Sequence, residues 1–215
     1  MYKLAIFDLD GTLVNSIEDI ADASNYALKK LGFPTHETEK FYHFVGDGVN
    51  KLCERILPAD KQEFIPQVLE YYNEFYSIHF ADKTKAYDGM NELTEKLHAN
   101  GIHLAVASNK TDCFVATVIK SCYKDGLFDI VLGNSPDRRR KPSGDIIEAI
   151  LRETGFDKSE TLMIGDTNVD VKTAKNAGVK SIGCLWGFRD ENELVTAGAD
   201  YIARKPADIA EIFLG

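Results

Sequence analysis

The sequence predicts an α/β fold, a doubly wound parallel sheet with an inserted all-helical domain. Three features of the chain lead there. Short apolar runs recur at residues 4–7, 102–107, 130–132, 161–165, 181–185 and 201–203, the pattern of strands covered on both faces. Segments of helical spacing lie between the later runs, at 90–98, 114–123, 146–154, 169–176 and 191–196, several closed by Gly101, Gly155 or Gly178. That alternation is the signature of a parallel sheet wound with helices. Third, the first run is separated from the rest by a long stretch without strand character.

The opening run, residues 4–7, stops at Asp8-Leu9-Asp10-Gly11. Ligands of open α/β sheets bind beyond the carboxyl ends of the strands, so Asp8 and Asp10 are expected at the mouth of a crevice, where Gly11 lets the chain turn. Crowded carboxylates repel, which favours a shared proton or a bound cation. Next, Ser16 is placed to cap a helix with the stripe Ile17, Ile20, Ala21, Ala27, Leu28 and Leu31, ended by Gly32-Phe33-Pro34. A second stripe is Val49, Leu52, Cys53, Ile56 and Leu57. A third is Phe64, Val68, Tyr72, Phe75, Tyr76, His79 and Phe80. Helical spacing without basic neighbours makes these aromatics a small core rather than a base-stacking face. The expected domains are therefore 1–14 with 86–215, and an inserted helical domain over 15–85, with hinges near Asn15 and Lys85-Ala86.

Charge and composition narrow the partners. The net charge of −9 disfavours nucleic acid and anionic membrane surfaces. No apolar run approaches the roughly 18 residues of a membrane span, and Met1-Tyr2-Lys3 leads directly into the first strand, so a cytoplasmic location is expected. Cys53, Cys113, Cys122 and Cys184 show no CxxC spacing and read as buried thiols of a reducing compartment.

Three further polar groups follow apolar runs or precede a helix: Ser108-Asn109-Lys110, Lys141-Pro142, and Gly165-Asp166-Thr167-Asn168-Val169-Asp170. Each has an ordinary reading, with Thr111 or Asp112 as a cap, Asp170 facing a helix dipole, and Lys141 as one more solvated cation after Arg138, Arg139 and Arg140. Together they suit a phosphate monoester. Magnesium can be held by one or two carboxylates plus the phosphate, and Asp8 with Asp166 fits, with Asp170 as an outer ligand. Lys141, Ser108 and Asn109 would bind the phosphoryl oxygens. A carboxylate could then attack phosphorus while a second one protonates the leaving oxygen and later deprotonates water.

In order and combination, Asp8-Leu9-Asp10-Gly11-Thr12, Ser108-Asn109-Lys110, Lys141-Pro142 and Gly165–Asp170 resemble the four motifs of the haloacid dehalogenase superfamily. The resemblance implies a Rossmann-like core, Asp8 as nucleophile, Asp10 as general acid/base and backbone-carbonyl metal ligand, Asp166 as the other carboxylate ligand, and 15–85 as a mobile cap. Phe44-Val45-Gly46-Asp47-Gly48, Trp186-Gly187-Phe188 and Gly198-Ala199-Asp200-Tyr201 look most like the phosphoglycolate phosphatase branch, in which the loop at Gly46, Asp47 and Gly48 would choose the leaving group. Lys141-Pro142-Ser143-Gly144 departs from many relatives in lacking a second proline. The expected function is a Mg2+-dependent phosphatase of a small phosphorylated metabolite, monomer or homodimer. The alternatives are a sugar phosphomutase, a pyrophosphatase or nucleotide phosphatase, and a non-catalytic phosphate-binding module. Asp10 disfavours a dehalogenase, and the Gly165-Asp166 pair favours hydrolysis over mutase chemistry.

Overall fold

The structure, a computed structural model, describes residues 1–215. Its strands are β1 (Leu4–Phe7), β2 (Val14–Asn15), β3 (Lys85–Ala86), β4 (His103–Thr111), β5 (Ile130–Asn134), β6 (Thr161–Gly165), β7 (Lys180–Cys184) and β8 (Tyr201–Ala203). Its α-helices are α1 (Ile17–Lys30), α2 (Phe41–Phe44), α3 (Val49–Ile56), α4 (Ile65–His79), α5 (Met90–Ala99), α6 (Asp112–Cys122), α7 (Asp145–Thr154), α8 (Asn168–Ala177), α9 (Glu191–Ala197) and α10 (Pro206–Leu214). The chain divides into two compact units, Met1–Val14 with Ala86–Gly215, and Asn15–Lys85.

The first unit holds a six-stranded parallel sheet in the order β5-β4-β1-β6-β7-β8. All four residues of β1 are fully buried. The strand is central, pairing Leu4 with both His103 and Thr161. One layer of the core joins Leu4 and Ile6 to Ala105, Ala107, Ile146, Ile147, Ile150 and Met163, so β1, β4 and β6 pack together against α7. The site residues come from the carboxyl ends of adjacent β4, β1 and β6, where the strand order changes direction.

The second unit is helical, built on α1 and α4 packed together. Val68, Tyr72 and Tyr76 of the aromatic stripe are buried, and the last two rings stack at 4.9 Å. Asp19, buried in α1, accepts hydrogen bonds from the backbone N–H groups of Lys83 and Thr84 and from the Thr84 hydroxyl. Those bonds satisfy its charge and tie the last residues of the unit to its first helix. In the Gly46-Asp47-Gly48 loop, both glycines have positive φ, 123° and 86°. Arg55 of α3 grips this loop, donating to the Asp47 carboxylate and the Phe44 carbonyl.

Several local expectations need correction. Strand β4 runs on to Thr111, so Ser108, Asn109 and Lys110 lie within an irregular strand rather than in a loop after it. Ser16 occupies the N-cap position of α1, but its side chain makes no capping bond. Asn15 Oδ1 accepts from the Ile17 N–H instead, at 3.3 Å. Thr111 does not cap α6 through its side chain, and Asp112 accepts from the Gly133 N–H. Cys113 is exposed and Cys122 half-buried because both fall at the ends of α6, whereas Cys53 and Cys184 are buried. Arg138 is not a solvated cation: its side chain is 16% exposed and donates to the Gly133 carbonyl. Helix α10 was not anticipated, although Pro206 at its first turn and the Ile209, Ala210, Phe213 spacing signal it.

Candidate active site

Asp8, Asp166 and Asp170 offer carboxylate oxygens that all lie within 4.8 Å of one another. Asp8 follows β1, and its backbone N–H bonds to the Ile164 carbonyl of β6, so the sheet itself aligns the first acid with the second. Asp8 Oδ1 accepts from the Leu9 N–H at 2.7 Å and from Lys141 Nζ at 2.8 Å. No protein group donates to Asp8 Oδ2. One oxygen is thus fixed and the other is uncommitted.

Lys141 is buried between Asp8 and Asp170, with Nζ 2.7 Å from Asp170 Oδ1. Burial alone would depress its pKa, but Asp170 and Asp8 outweigh burial and raise it, so the ammonium stays charged. Asn109 places this lysine. Its Oδ1 accepts from the Lys141 N–H at 2.8 Å, and its Nδ2 donates to the Lys141 carbonyl at 3.1 Å. Asp170 has both oxygens engaged, one by Lys141 and the other by the Thr167 N–H and hydroxyl in a capping box that starts α8. The cap and the charged site therefore share one residue.

Asp166 is completely buried. Its Oδ1 accepts from the Thr12 hydroxyl at 2.9 Å and its Oδ2 from the Phe188 N–H at 2.8 Å. Burial, then the charge of Asp170, pushes its carboxyl up to about 7. Asp8 is also raised well above the usual range, by burial first and then by Asp170, with Lys141 pulling the other way. Three crowded carboxylates face one lysine. The hard oxygen donors, the excess negative charge and the upward pressure on two carboxyl groups all fit a small divalent cation such as Mg2+.

Three glycines make room for these acids. A methyl group on Gly165 would overlap the Asp170 side chain, while one on Gly11 or Gly187 would overlap Asp166. Gly11 also has φ near 92°, a conformation open to glycine and strained for other residues. Asp10 lies just before this turn, held by Lys110 Nζ at 2.7 and 3.0 Å from its two oxygens. Ser108 is buried, and its Oγ accepts from the Lys110 N–H at 3.1 Å. The site-forming residues of the first unit thus come from the segments after β1 and β6, from β4 and α8, and from the segment before α7. Gly46, Asp47 and Gly48 belong to the other unit.

A family model described as haloacid dehalogenase-like hydrolase matches residues 5–184. The chain belongs to the haloacid dehalogenase-like hydrolases. Within them it lies in the phosphoglycolate phosphatase-like branch. The phosphoglycolate phosphatase of Aquifex aeolicus is 30% identical over 210 residues, covering 98% of this chain and 96% of its own. That of Vibrio vulnificus strain CMCP6 is 30% identical over 219 residues, covering 99% and 96%. A crystal structure from Lactobacillus delbrueckii subsp. bulgaricus matches with a TM-score of 0.94 at 30% identity, over 100% of this chain and 99% of that one. No helix of this hydrolase is long and apolar enough to cross a membrane.

The sequence marks the segment after β7, Trp186-Gly187-Phe188, only as a likeness to the phosphoglycolate phosphatase branch and gives it no contact at the site. Trp186 Nε1 donates to the Thr12 carbonyl at 3.0 Å, and the Phe188 N–H holds Asp166. Trp186-Gly187-Phe188 therefore latches onto the loop after β1 and the carboxylate after β6 together. A glycine flanked by aromatics just past a strand end was the available signal. Gly187→Ala should displace Asp166, and if the acidic cluster takes up Mg2+ its affinity should fall by about 10-fold, the low end of the cost of disturbing a ligand's support. Calorimetric titration of the purified hydrolase with Mg2+ checks this, and an unchanged affinity would show that the latch does not place Asp166.

Proposed function

We propose that this hydrolase is a Mg2+-dependent phosphatase of small phosphate monoesters, phosphoglycolate-like in class, working through an aspartyl phosphate on Asp8. The observation that carries the reading is the pairing of an uncommitted Asp8 oxygen with Lys141 on the same carboxylate. That arrangement gives a nucleophile and a phosphate-binding cation in one place. The names of the full-length relatives support the substrate class.

Asp8 and Asp166 would hold the metal, with the Asp10 backbone carbonyl as a further ligand and Asp170 as an outer one. When bound, the ion neutralises phosphoryl charge so that an anionic side chain can approach an anionic ester. Lys141 adds a fixed positive charge on the phosphoryl oxygens, and the Ser108 hydroxyl adds a donor. Asn109 acts through Lys141, whose backbone it holds. Asp8 attacks phosphorus, the phosphorus–oxygen bond to the leaving group breaks, and Asp10 gives that oxygen its proton. Asp10 then takes a proton from the water that attacks the same phosphorus, releasing phosphate and restoring Asp8. Residues 15–85 serve as a cap, and Gly46, Asp47 and Gly48 select the leaving group, with Arg55 fixing that loop.

A panel of phosphate esters with Mg2+, read as free phosphate, tests the reading. Release from small carboxylated or alkyl phosphates, with one alcohol formed per phosphate, is the expected result. Isomerised ester without free phosphate would instead mark a phosphomutase. No release across the panel from folded protein would mark a binding module.

A further inference from the structure

We propose that Lys110 is a positioning residue for Asp10, holding its carboxylate in the orientation from which it serves the leaving oxygen. The proposal rests on the reading of Asp10 as the general acid/base.

The contact is short and two-pronged, 2.7 Å to one oxygen and 3.0 Å to the other. The Lys110 side chain is only 5% exposed and that of Asp10 15%. A lysine on a surface sweeps out many rotamers, and its ion pairs contribute little. Here the lysine is enclosed, and contact with both oxygens fixes the rotation of the carboxylate, which a single bond would leave looser.

The backbone is shaped to deliver this contact. Strand β4 pairs regularly with β5 from Ala105 to Ala107, then its register shifts before Thr111. Within the shifted stretch, Ser108 Oγ takes the Lys110 N–H. An irregularity of this kind next to a site re-aims a side chain. On the other side, Gly11 donates to the Val14 carbonyl, and Asp10 bridges Val14, so the turn after β1 presents Asp10 from a braced position. Lys110 and Asp10 therefore reach one another from two separately fixed elements. The site holds two buried lysine side chains with divided duties. Lys141 serves Asp8 and Asp170, while Lys110 serves Asp10.

The consequence concerns leaving groups. A general acid is effective only within hydrogen-bond reach of the oxygen it protonates, and a small misplacement of such a group is expensive. Esters whose alcohol is a poor leaving group depend on that proton. p-Nitrophenyl phosphate hardly does, because p-nitrophenolate departs unprotonated. An ion pair that only supported the fold would slow both kinds of substrate alike.

The experiment compares Lys110→Met, Lys110→Arg, Asp10→Asn and the double variant Asp10→Asn/Lys110→Met with the parent protein. The substrates are p-nitrophenyl phosphate and the fastest alkyl phosphate of the panel above. For Lys110→Met, kcat/KM, which reports the steps up to the phosphoenzyme and not the later work of Asp10 on water, should fall by roughly 10- to 100-fold on the alkyl ester and by at most about 3-fold on p-nitrophenyl phosphate. Lys110→Arg, which still offers a cation, should recover part of the loss. In the Asp10→Asn background, Lys110→Met should cost nothing more, because the two residues act as one unit. Equal losses of kcat/KM on both substrates, or additive losses in the double variant, would overturn the proposal. Should Lys110→Met melt below the assay temperature, Lys110→Gln is judged by the same criteria. If Asp10→Asn itself loses equally on both substrates, Asp10 is not the acid and the underlying reading fails. If Asp10→Asn is selective and Lys110→Met is not, only the role of Lys110 fails.

Discussion

Replacing Asp8 by asparagine should lower phosphate release by on the order of 10⁴-fold or more, the scale of loss when a covalent nucleophile is removed. The amide oxygen is a poor nucleophile, yet it has nearly the carboxylate's shape and can still accept from the Leu9 N–H. The fold should survive. Burial and Asp170 already press the Asp8 carboxyl toward its neutral form, so a neutral amide relieves repulsion at this spot. Lys141 keeps Asp170 as its partner at 2.7 Å. The melting temperature of Asp8→Asn should therefore equal or exceed that of the parent, and acid-quenched reactions should contain no phosphorylated protein. Turnover above a small percentage of the parent rate would remove Asp8 from its role.

Lys141→Met should be damaging in both stability and rate. The lysine is the buried cation between two buried carboxylates, and removing one partner of such a group costs about 3–5 kcal/mol. For a chain of this size that is a drop in melting temperature of roughly 10 °C. Activity should fall by about 10³-fold or more, as when a cation is taken from a phosphoryl-transfer site. Thermal denaturation gives the first quantity and phosphate release, measured well below the transition, the second. A variant that melts normally but is inactive would make Lys141 a substrate ligand with no structural share. A variant that is destabilised yet active would make it structural alone.

The alternation of apolar runs and helical segments carried the core fold, because buried parallel strands must be apolar on both faces, as β1, residues 104–107 of β4 and residues 162–164 of β6 are. The polar groups that close the apolar runs were legible for the same reason: Asp8, Ser108 and Asp166 interrupt such runs where nothing apolar would. Partnerships were not legible. Ser108-Asn109-Lys110 reads as one polar triplet, but its three side chains do different things: Asn109 secures Lys141, Lys110 grips Asp10 and Ser108 takes a backbone N–H. Which neighbour each one meets depends on a register shift in β4 that leaves no mark in composition. Gly187 was equally opaque, since its importance is the space it leaves for a carboxylate from another strand. The short β2 and β3 leave no pattern because each is two residues long, whereas α10 carries its own signal in Pro206 and the Ile209, Ala210, Phe213 spacing.

The central place of β1 has a consequence for how the protein folds. This strand precedes both of its neighbours, the 103–106 and 161–164 segments, by a long stretch of chain. Such distant pairings are slow to form, since a long stretch of chain must be ordered before they are rewarded. Amino-terminal fragments ending before Thr161 should therefore lack the anion pocket altogether, and recovery of Mg2+ affinity during refolding should report completion of the whole sheet rather than any local step.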